Sequence, residues 1–390
     1  RSLLPVHRRL ITELERTGRL DRSLEAIPTD EELAVRSEAG RGLTAPEFAA
    51  LLAYVKIDLE DEINASTMPD DPWTAEVLSE YFPTPLREKY ADRMAGHRLR
   101  REIVTTQLVN EVVNRGGTTF VYRAIEETGA TAADVIRAYV IVRDVFELRE
   151  LWQAVEDLDT DHDVPTAAQT SIYLETRRLL DRALRWLLTN RRAPLDVPTE
   201  IATVRPGVAQ LLPQLEELFH GAEADALRTH VKQVVALGIP EPLAAWSTRL
   251  AYSFGLLDVV SLATTTGDGL TDVAGVYFAL SEHFHVDALL SKISELPRED
   301  RWQTLARMAL RYDLYAALTA LTREVLGSTP DVASANAGSA DRVHAWEEAN
   351  AAAIARARNA MLDFDDSRAD LAVLSVMLRQ IRTLANTAAA

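Results

Sequence analysis

Residues 97–115, HRLRREIVTTQLVNEVVNR, decide the fold class. The stretch holds no glycine or proline and runs up to Gly116-Gly117, so nothing interrupts a helix before that pair. Wound at about 100° per residue, it carries two apolar stripes. Leu99, Ile103 and Val113 lie on one side, and Val104, Leu108 and Val112 lie roughly opposite. A helix apolar on two sides sits between layers of a helical protein, or is covered on one side by another chain. Asn110 falls in the middle of the first stripe beside Thr106, with Asn114 one turn further on. A buried amide left unpaired costs about 1–3 kcal/mol, so Asn110 is expected to have partners. Two readings stay open: a core amide bonded to neighbouring backbone, or a register-setting contact at a domain or subunit interface. In the second case the interface residues are Arg98, Arg101, Asn110 and Asn114. The cluster Arg98, Arg100, Arg101 reads otherwise as a solvated face paired with nearby carboxylates.

Helix signals continue in both directions from this stretch. Thr29-Asp30-Glu31-Glu32 and Thr44-Ala45-Pro46-Glu47 are capping boxes, in which a Thr hydroxyl accepts from a first-turn amide and the Glu reaches back. After the second box, Phe48, Leu51, Leu52, Val55 and Leu59 recur at helical spacing. Asp71-Pro72 and Thr84-Pro85 place a capping residue before a proline suited to the first helical position. Thr131-Ala132-Ala133-Asp134 opens another long helix, and Gly18, Gly129 and Gly238 stand where C-terminal caps belong. Valine-rich pieces such as 231–237 are 3.6-periodic, not alternating. The fold class is therefore all-α: an irregular multi-helix bundle in two packed helical subdomains, with no significant sheet.

The subdomains are expected at 1–190 and 207–390, joined by a Pro-rich linker at 191–206 that contains Pro194, Pro198 and Pro206. A mobile loop is expected near 327–340, where Ser, Ala, Gly, Asn and Asp dominate, followed by helices over about 341–362 and 367–386. No fixed repeat marks a solenoid. With 390 residues, 47% hydrophobic and 26% charged, the chain has the profile of a folded protein of two-domain length. A net charge of -17 argues against a nucleic-acid partner. The absence of cysteine removes disulfides, thiolate metal sites and Cys nucleophiles, and accords with a reducing cytoplasm. No apolar run approaches the ~20 residues that span a bilayer, so no membrane partner is expected. Arg1-Ser2-Leu3-Leu4-Pro5 has neither an initiator Met nor a signal-peptide pattern, as expected for a piece of a longer chain.

Catalytic motifs are missing. Gly267-Asp268-Gly269 supplies two of the glycines of a dinucleotide loop, but Asp272 stands at the third position and no strand precedes, so it reads as a turn between helices. The alternating carboxylates Asp157, Asp159, Asp161 and Asp163 fail as a calcium loop: counted from Asp157, His162 replaces the required Gly and Ala168 the required Glu. They read instead as a solvated turn. His283 and His285 would diverge by about 200° on a helix and lack a carboxylate at ligand spacing other than Glu282 and Asp287. No catalytic, cofactor-binding or metal-binding residue is assigned in this chain.

The order of several short pieces is nevertheless specific. Gly42-Leu43-Thr44-Ala45-Pro46-Glu47, then Leu51 to Lys56, Lys89-Tyr90-Ala91-Asp92, His97 to Ile103, Asn110-Glu111-Val112-Val113-Asn114, Gly117 to Phe120, Glu126 to Ala130 and Ala138 to Arg143 resemble the large bacterial NAD-specific glutamate dehydrogenases. The likeness is dense over about 7–190, and beyond that it rests on helical texture. It implies a parent that oxidatively deaminates L-glutamate to 2-oxoglutarate and ammonia with NAD. The catalytic Lys and Asp and the glycine-rich cofactor loop of that family have no counterpart here. The resemblance thus implies a C-terminal helical region serving assembly or control, with an upstream catalytic domain as partner, in a cytoplasmic homo-oligomer. The competing readings are a stand-alone helical interaction module and, more weakly, an effector-binding module.

Overall fold

The computed structural model describes residues 3–158, 164–297, 300–329, 338–362 and 370–385, and for 358–362 the backbone alone. Among them every regular element is helical, and the protein is all-α. Two compact units are present: Arg1–Asp144 with Leu180–Ile201, and Val145–Leu179 with Ala202–Ala390.

In the first unit the Arg100–Gly116 helix packs on Ala45–Ala65, Thr74–Tyr81 and Phe120–Thr128. Its buried residues Val104, Thr105, Leu108, Val109, Val112, Val113 and Gly116 make one broad face. The two-sided sandwich expected from the sequence is thereby corrected. Val113 joins the broad face, while Ile103 is half-buried and Leu99 stays 55% exposed. Gly116 is obligatory for packing, because a Cβ there would lie 2.5 Å from the Phe120 ring.

Ala132–Val145 is buried almost all round. Such a helix belongs inside a protein, and its charged residues must be paired there. Arg137 reaches Asp71 at 2.9 Å and Asp134 at 3.4 Å. Asp134 in turn closes the first turn with Thr131, as read from the sequence.

The second unit is organised around Leu270–His283, which packs on Leu256–Thr266, Arg301–Ser328 and Ser339–Ala349. Arg301–Ser328 also packs along Leu371–Leu384. Gly267-Asp268-Gly269 is the turn between two of these helices, with Gly267 at φ +78°.

Several boundaries differ from the sequence reading. Within the expected proline-rich linker only 191–196 is non-helical, and Val197–Leu211 is a helix with Pro198 in its first turn and Pro206 inside. An internal proline sacrifices one backbone hydrogen bond and costs about 3 kcal/mol. Val204, Val208 and Leu211, spaced four and three residues apart and all buried, supply the packing that outweighs it. Helix Thr74–Tyr81 starts two residues after Pro72, and helix Thr84–Met94 begins at Thr84 itself, with Pro83 as its cap. Of the loop expected at 327–340, Gly327 and Ser328 complete a helix and Ser339 begins the next, while 330–337 lie outside the described residues. So do Asp159, Asp161 and Asp163 of the acidic stretch.

Candidate functional site

The Asn110-Glu111-Val112-Val113-Asn114 segment sits where three helices of the first unit meet, and its polar side chains divide between two directions. Neighbouring residues on a helix diverge by about 100°, so Asn110 and Glu111 cannot serve the same partner. Glu111 turns towards the buried Ala132–Val145 helix. There it accepts two bonds from Arg143 Nη1, both 3.0 Å, and one from the Tyr139 hydroxyl at 3.2 Å. Asp144 accepts from the same guanidinium at 2.6 and 3.0 Å. Burial disfavours the charge on Arg143, but the carboxylates of Asp144 and Glu111 outweigh it and hold the group charged. Burial, reinforced by Glu111, keeps the Tyr139 phenol protonated well past its ordinary range.

Asn110 and Asn114 face the other way. Lys56 Nζ, on Ala45–Ala65, donates to Asn110 Oδ1 at 2.7 Å and to Asn114 Oδ1 at 3.0 Å. Asn110 is half-buried and Asn114 exposed. The amide on which the sequence reading turned is therefore bonded neither to neighbouring backbone nor inside the core. It steadies a lysine at the surface.

Lys56 was missed as a site residue, although it ends one of the matching pieces. Its only signal was its helix position: Val55 and Leu59 point into the core, which puts Lys56 at the edge of that face.

The arginines nearby divide as well. Arg100 and Arg101 both pair with Asp70, Arg100 at 2.5 Å. Arg101 also donates to the carbonyls of Asn64 and Ser66 at 2.6 and 2.8 Å, closing the end of helix Ala45–Ala65. That occupies Arg101 locally. Arg98 is exposed and makes no hydrogen bond or ion pair among the described residues. The structure thus gathers Asn110 and Asn114 around Lys56, and leaves Arg98 and Arg101 apart from them.

Elsewhere, His283 pairs with Glu347 at 2.8 Å, and His285 occupies the joint before the next helix at φ +50°. Among the described residues no group of three or more His, Asp or Glu is placed to hold a metal ion, and no helix is long and apolar enough to cross a membrane.

Comparison with known proteins gives these features a context. The family profile described as glutamate dehydrogenase, C-terminal, matches residues 40–383. The NAD-specific glutamate dehydrogenase of Mycobacterium tuberculosis is 40% identical over 390 residues, 99% of this chain and 23% of that protein. That of Pseudomonas aeruginosa is 38% identical over 388 residues, 99% of this chain and 24% of its own length. That of Halomonas elongata is 36% identical over 340 residues, 87% and 21% respectively. The chain spans about a quarter of the length of the curated relatives it matches. The likeness also continues to residue 383, well past the first 190 residues, so the second unit shares it by sequence and not by helical texture alone.

Proposed function

The chain belongs to the glutamate dehydrogenase C-terminal family, and from that premise we propose that it is the C-terminal helical region of an NAD-dependent L-glutamate dehydrogenase. The parent converts L-glutamate to 2-oxoglutarate and ammonia, with the hydride passing to NAD in a domain outside these 390 residues. The observation that carries this is the pattern of coverage: identity of 36–40% over nearly all of this chain, against under a quarter of each relative. Within such a parent the region assembles or positions the catalytic domains, through a surface that includes Arg98, Arg101, Asn110 and Asn114. By the same family likeness the enzyme is a cytoplasmic homo-oligomer, and NAD is held by the catalytic domain.

The test uses the full-length protein and this chain separately. The full-length protein is expected to reduce NAD when given L-glutamate, and the 390-residue chain to give neither turnover nor calorimetric heat with NAD. Glutamate-independent behaviour of the full-length protein would remove the enzyme reading. Asn110→Leu is expected to alter oligomeric state by light scattering, or the response to cofactor, in the full-length enzyme. Unchanged assembly and kinetics would return Asn110 to an ordinary structural role. A chain that binds unrelated proteins while the full-length protein shows no dehydrogenase activity would favour a stand-alone interaction module.

A further inference from the structure

Burying an arginine requires an anion beside it, and in one place the described residues supply none. The arginines buried among them are Arg137, Arg143, Arg185 and Arg342. Arg137 pairs with Asp71, Arg143 with Glu111 and Arg185 with Glu127. Arg342, on the Ser339–Ala349 helix of the second unit, is 4% exposed and makes no hydrogen bond or ion pair among the described residues. The carboxylates nearest to it in sequence are already occupied. Asp341 accepts from the Gly338 amide at 2.9 Å, Glu347 pairs with His283 at 2.8 Å, and Glu348 lies 3.4 Å from His344. Arginine does not shed its proton, so the charge at Arg342 stays.

A second donor lies one turn along the same face. Trp346 is 1% exposed, and its indole N–H has no acceptor among the described residues. Ser339, Arg342 and Trp346 fall within about 60° of one another around the helix. This face is the packed one: a Cβ on Gly275, in Leu270–His283, would stand 2.5 Å from Ser339 Oγ. Side chains four residues apart have Cβ atoms about 5–6 Å apart, so one small group can meet both the guanidinium and the indole. Water would satisfy the indole but leave the charge on Arg342 uncompensated. A carboxylate or phosphate group answers both, since it only accepts, and its paired oxygens match the guanidinium fork.

We propose that Arg342 and Trp346 form a binding site for one small oxyanion, a carboxylate or phosphate group, on the packed face of the Ser339–Ala349 helix. The site lies in the second unit, apart from the surface around Asn110, and does not depend on the enzyme reading.

Hydrogen exchange by mass spectrometry on the full-length protein tests it, read on peptides covering 339–349. Protein dialysed exhaustively into chloride is compared, at matched ionic strength, with protein in potassium phosphate and in sodium acetate. At an anion concentration ten times its Kd, exchange in those peptides should slow about tenfold. Protection by phosphate assigns a phosphoryl group and protection by acetate a carboxylate, and either supports the site. Arg342→Met should reverse the order. With no unpaired charge to bury, it should exchange more slowly than the wild type in chloride and gain nothing from either anion. Should that variant fail to fold, Trp346→Phe keeps an aromatic ring and removes the donor, and should weaken anion binding about tenfold. No protection by either anion overturns the site. So does protection spread evenly over both units, which exclusion of the salt from the whole surface would give. Arg342→Met destabilised equally in chloride and in phosphate also overturns it, because the guanidinium then has its partner within the protein.

Discussion

The two units are both helical, yet they are held together by different chemistry. In the first, buried arginines meet carboxylates at fixed positions: Arg143 with Glu111 and Asp144, Arg137 with Asp71, and Arg185 with Glu127 and Asp181. In the second, the described core is aliphatic with aromatic rings packed among the Leu and Val side chains. Phe219 lies 4.9 Å from Phe278, Tyr277 5.2 Å from Phe278, and Phe254 4.6 Å from Tyr315, measured between ring centroids. Helices approach there over glycine, with Gly255 against Tyr277 and Gly207 against Val260. A charged pair demands particular residues at particular spacings, whereas an apolar core demands mainly volume.

The difference is sharpest at Arg185, which is 2% exposed and shared between Glu127 and Asp181. Removing one partner of a buried ion pair strands the other, at a cost of about 3–5 kcal/mol. Arg185→Met should therefore lower stability in urea by that amount. The combined change Arg185→Met, Glu127→Leu should recover much of it, because no unpaired carboxylate remains at Glu127. If the double variant is no better than the single, the pair is not what holds this part of the unit together.

The counterpart in the second unit is steric. A Cβ on Gly207 would stand 2.7 Å from Val260 Cγ2, and a valine side chain has little freedom to move aside. Gly207→Ala gains about 1 kcal/mol of helix propensity and loses about 1–3 kcal/mol to overpacking, for a net loss on the order of 1 kcal/mol. Adding Val260→Ala should reverse the clash, and the double-mutant cycle should show coupling. Additive effects would mean that the helices accommodate the methyl group by moving apart.

Acid should act on the two units with opposite sign. Burial pushes Glu223 up to about 7 against the pull of the Ser281 hydroxyl, with Asp287 and Glu282 adding repulsion. A carboxyl whose folded pKa is raised is favoured in its protonated state, so this contribution weakens as pH rises from about 4.5 to about 7. The slope is at most about 1.4 kcal/mol per pH unit. Asp181 behaves conversely: burial raises its pKa, but Arg185 and Arg123 outweigh that and hold it below the ordinary carboxylate range. Its stabilisation is present above that ordinary range and is lost as pH falls through the lowered value. Hydrogen exchange should show the second unit tightening between pH 7.5 and 5.5 while the first loosens, because burial lowers the pKa of His7 to about 4 and the unfolded chain takes up that proton below about 6.5. Glu223→Gln should flatten the response, and a slope that survives it belongs to another group.

This contrast also explains what could be read in advance. The capping box at Thr29, the glycine caps at Gly18, Gly129 and Gly238, and the closure of Thr131 on Asp134 depend on neighbours a few residues apart, and the structure has each of them. Lys56 meeting Asn110, or Arg101 meeting Asp70, joins residues 54 and 31 positions apart, and helical periodicity carries no information about that. Periodicity did place Asn110 on a stripe, but not the depth of that stripe. Leu99 and Ile103 looked like core residues and lie at or near the surface, because the neighbouring helices cover the opposite face. Pro206 misled in the other direction, since the packing of Val204, Val208 and Leu211 is a tertiary effect.

The smallest effects come from the two capping boxes, which look alike in sequence and differ in their surroundings. Thr29 Oγ1 accepts from the Glu32 amide at 3.3 Å, and Glu32 Oε2 accepts from the Thr29 amide at 2.8 Å. At the second box Glu47 accepts from the Thr44 amide at 2.7 Å, and also takes both Nη atoms of Arg36 at 2.6 and 3.0 Å. Thr29→Ala should cost about 1 kcal/mol, the worth of an N-cap. Glu32→Gln should be nearly neutral, because an amide oxygen can still accept from the Thr29 backbone. Glu47→Gln should cost about 0.5–1 kcal/mol more than Glu32→Gln, since the neutral amide cannot replace the bidentate charge on Arg36. Raising salt should shrink that excess while leaving the Thr29→Ala cost unchanged. Equal costs for the two glutamines would mean that Arg36 adds nothing. The charged pairs of the first unit would then matter only where they are buried.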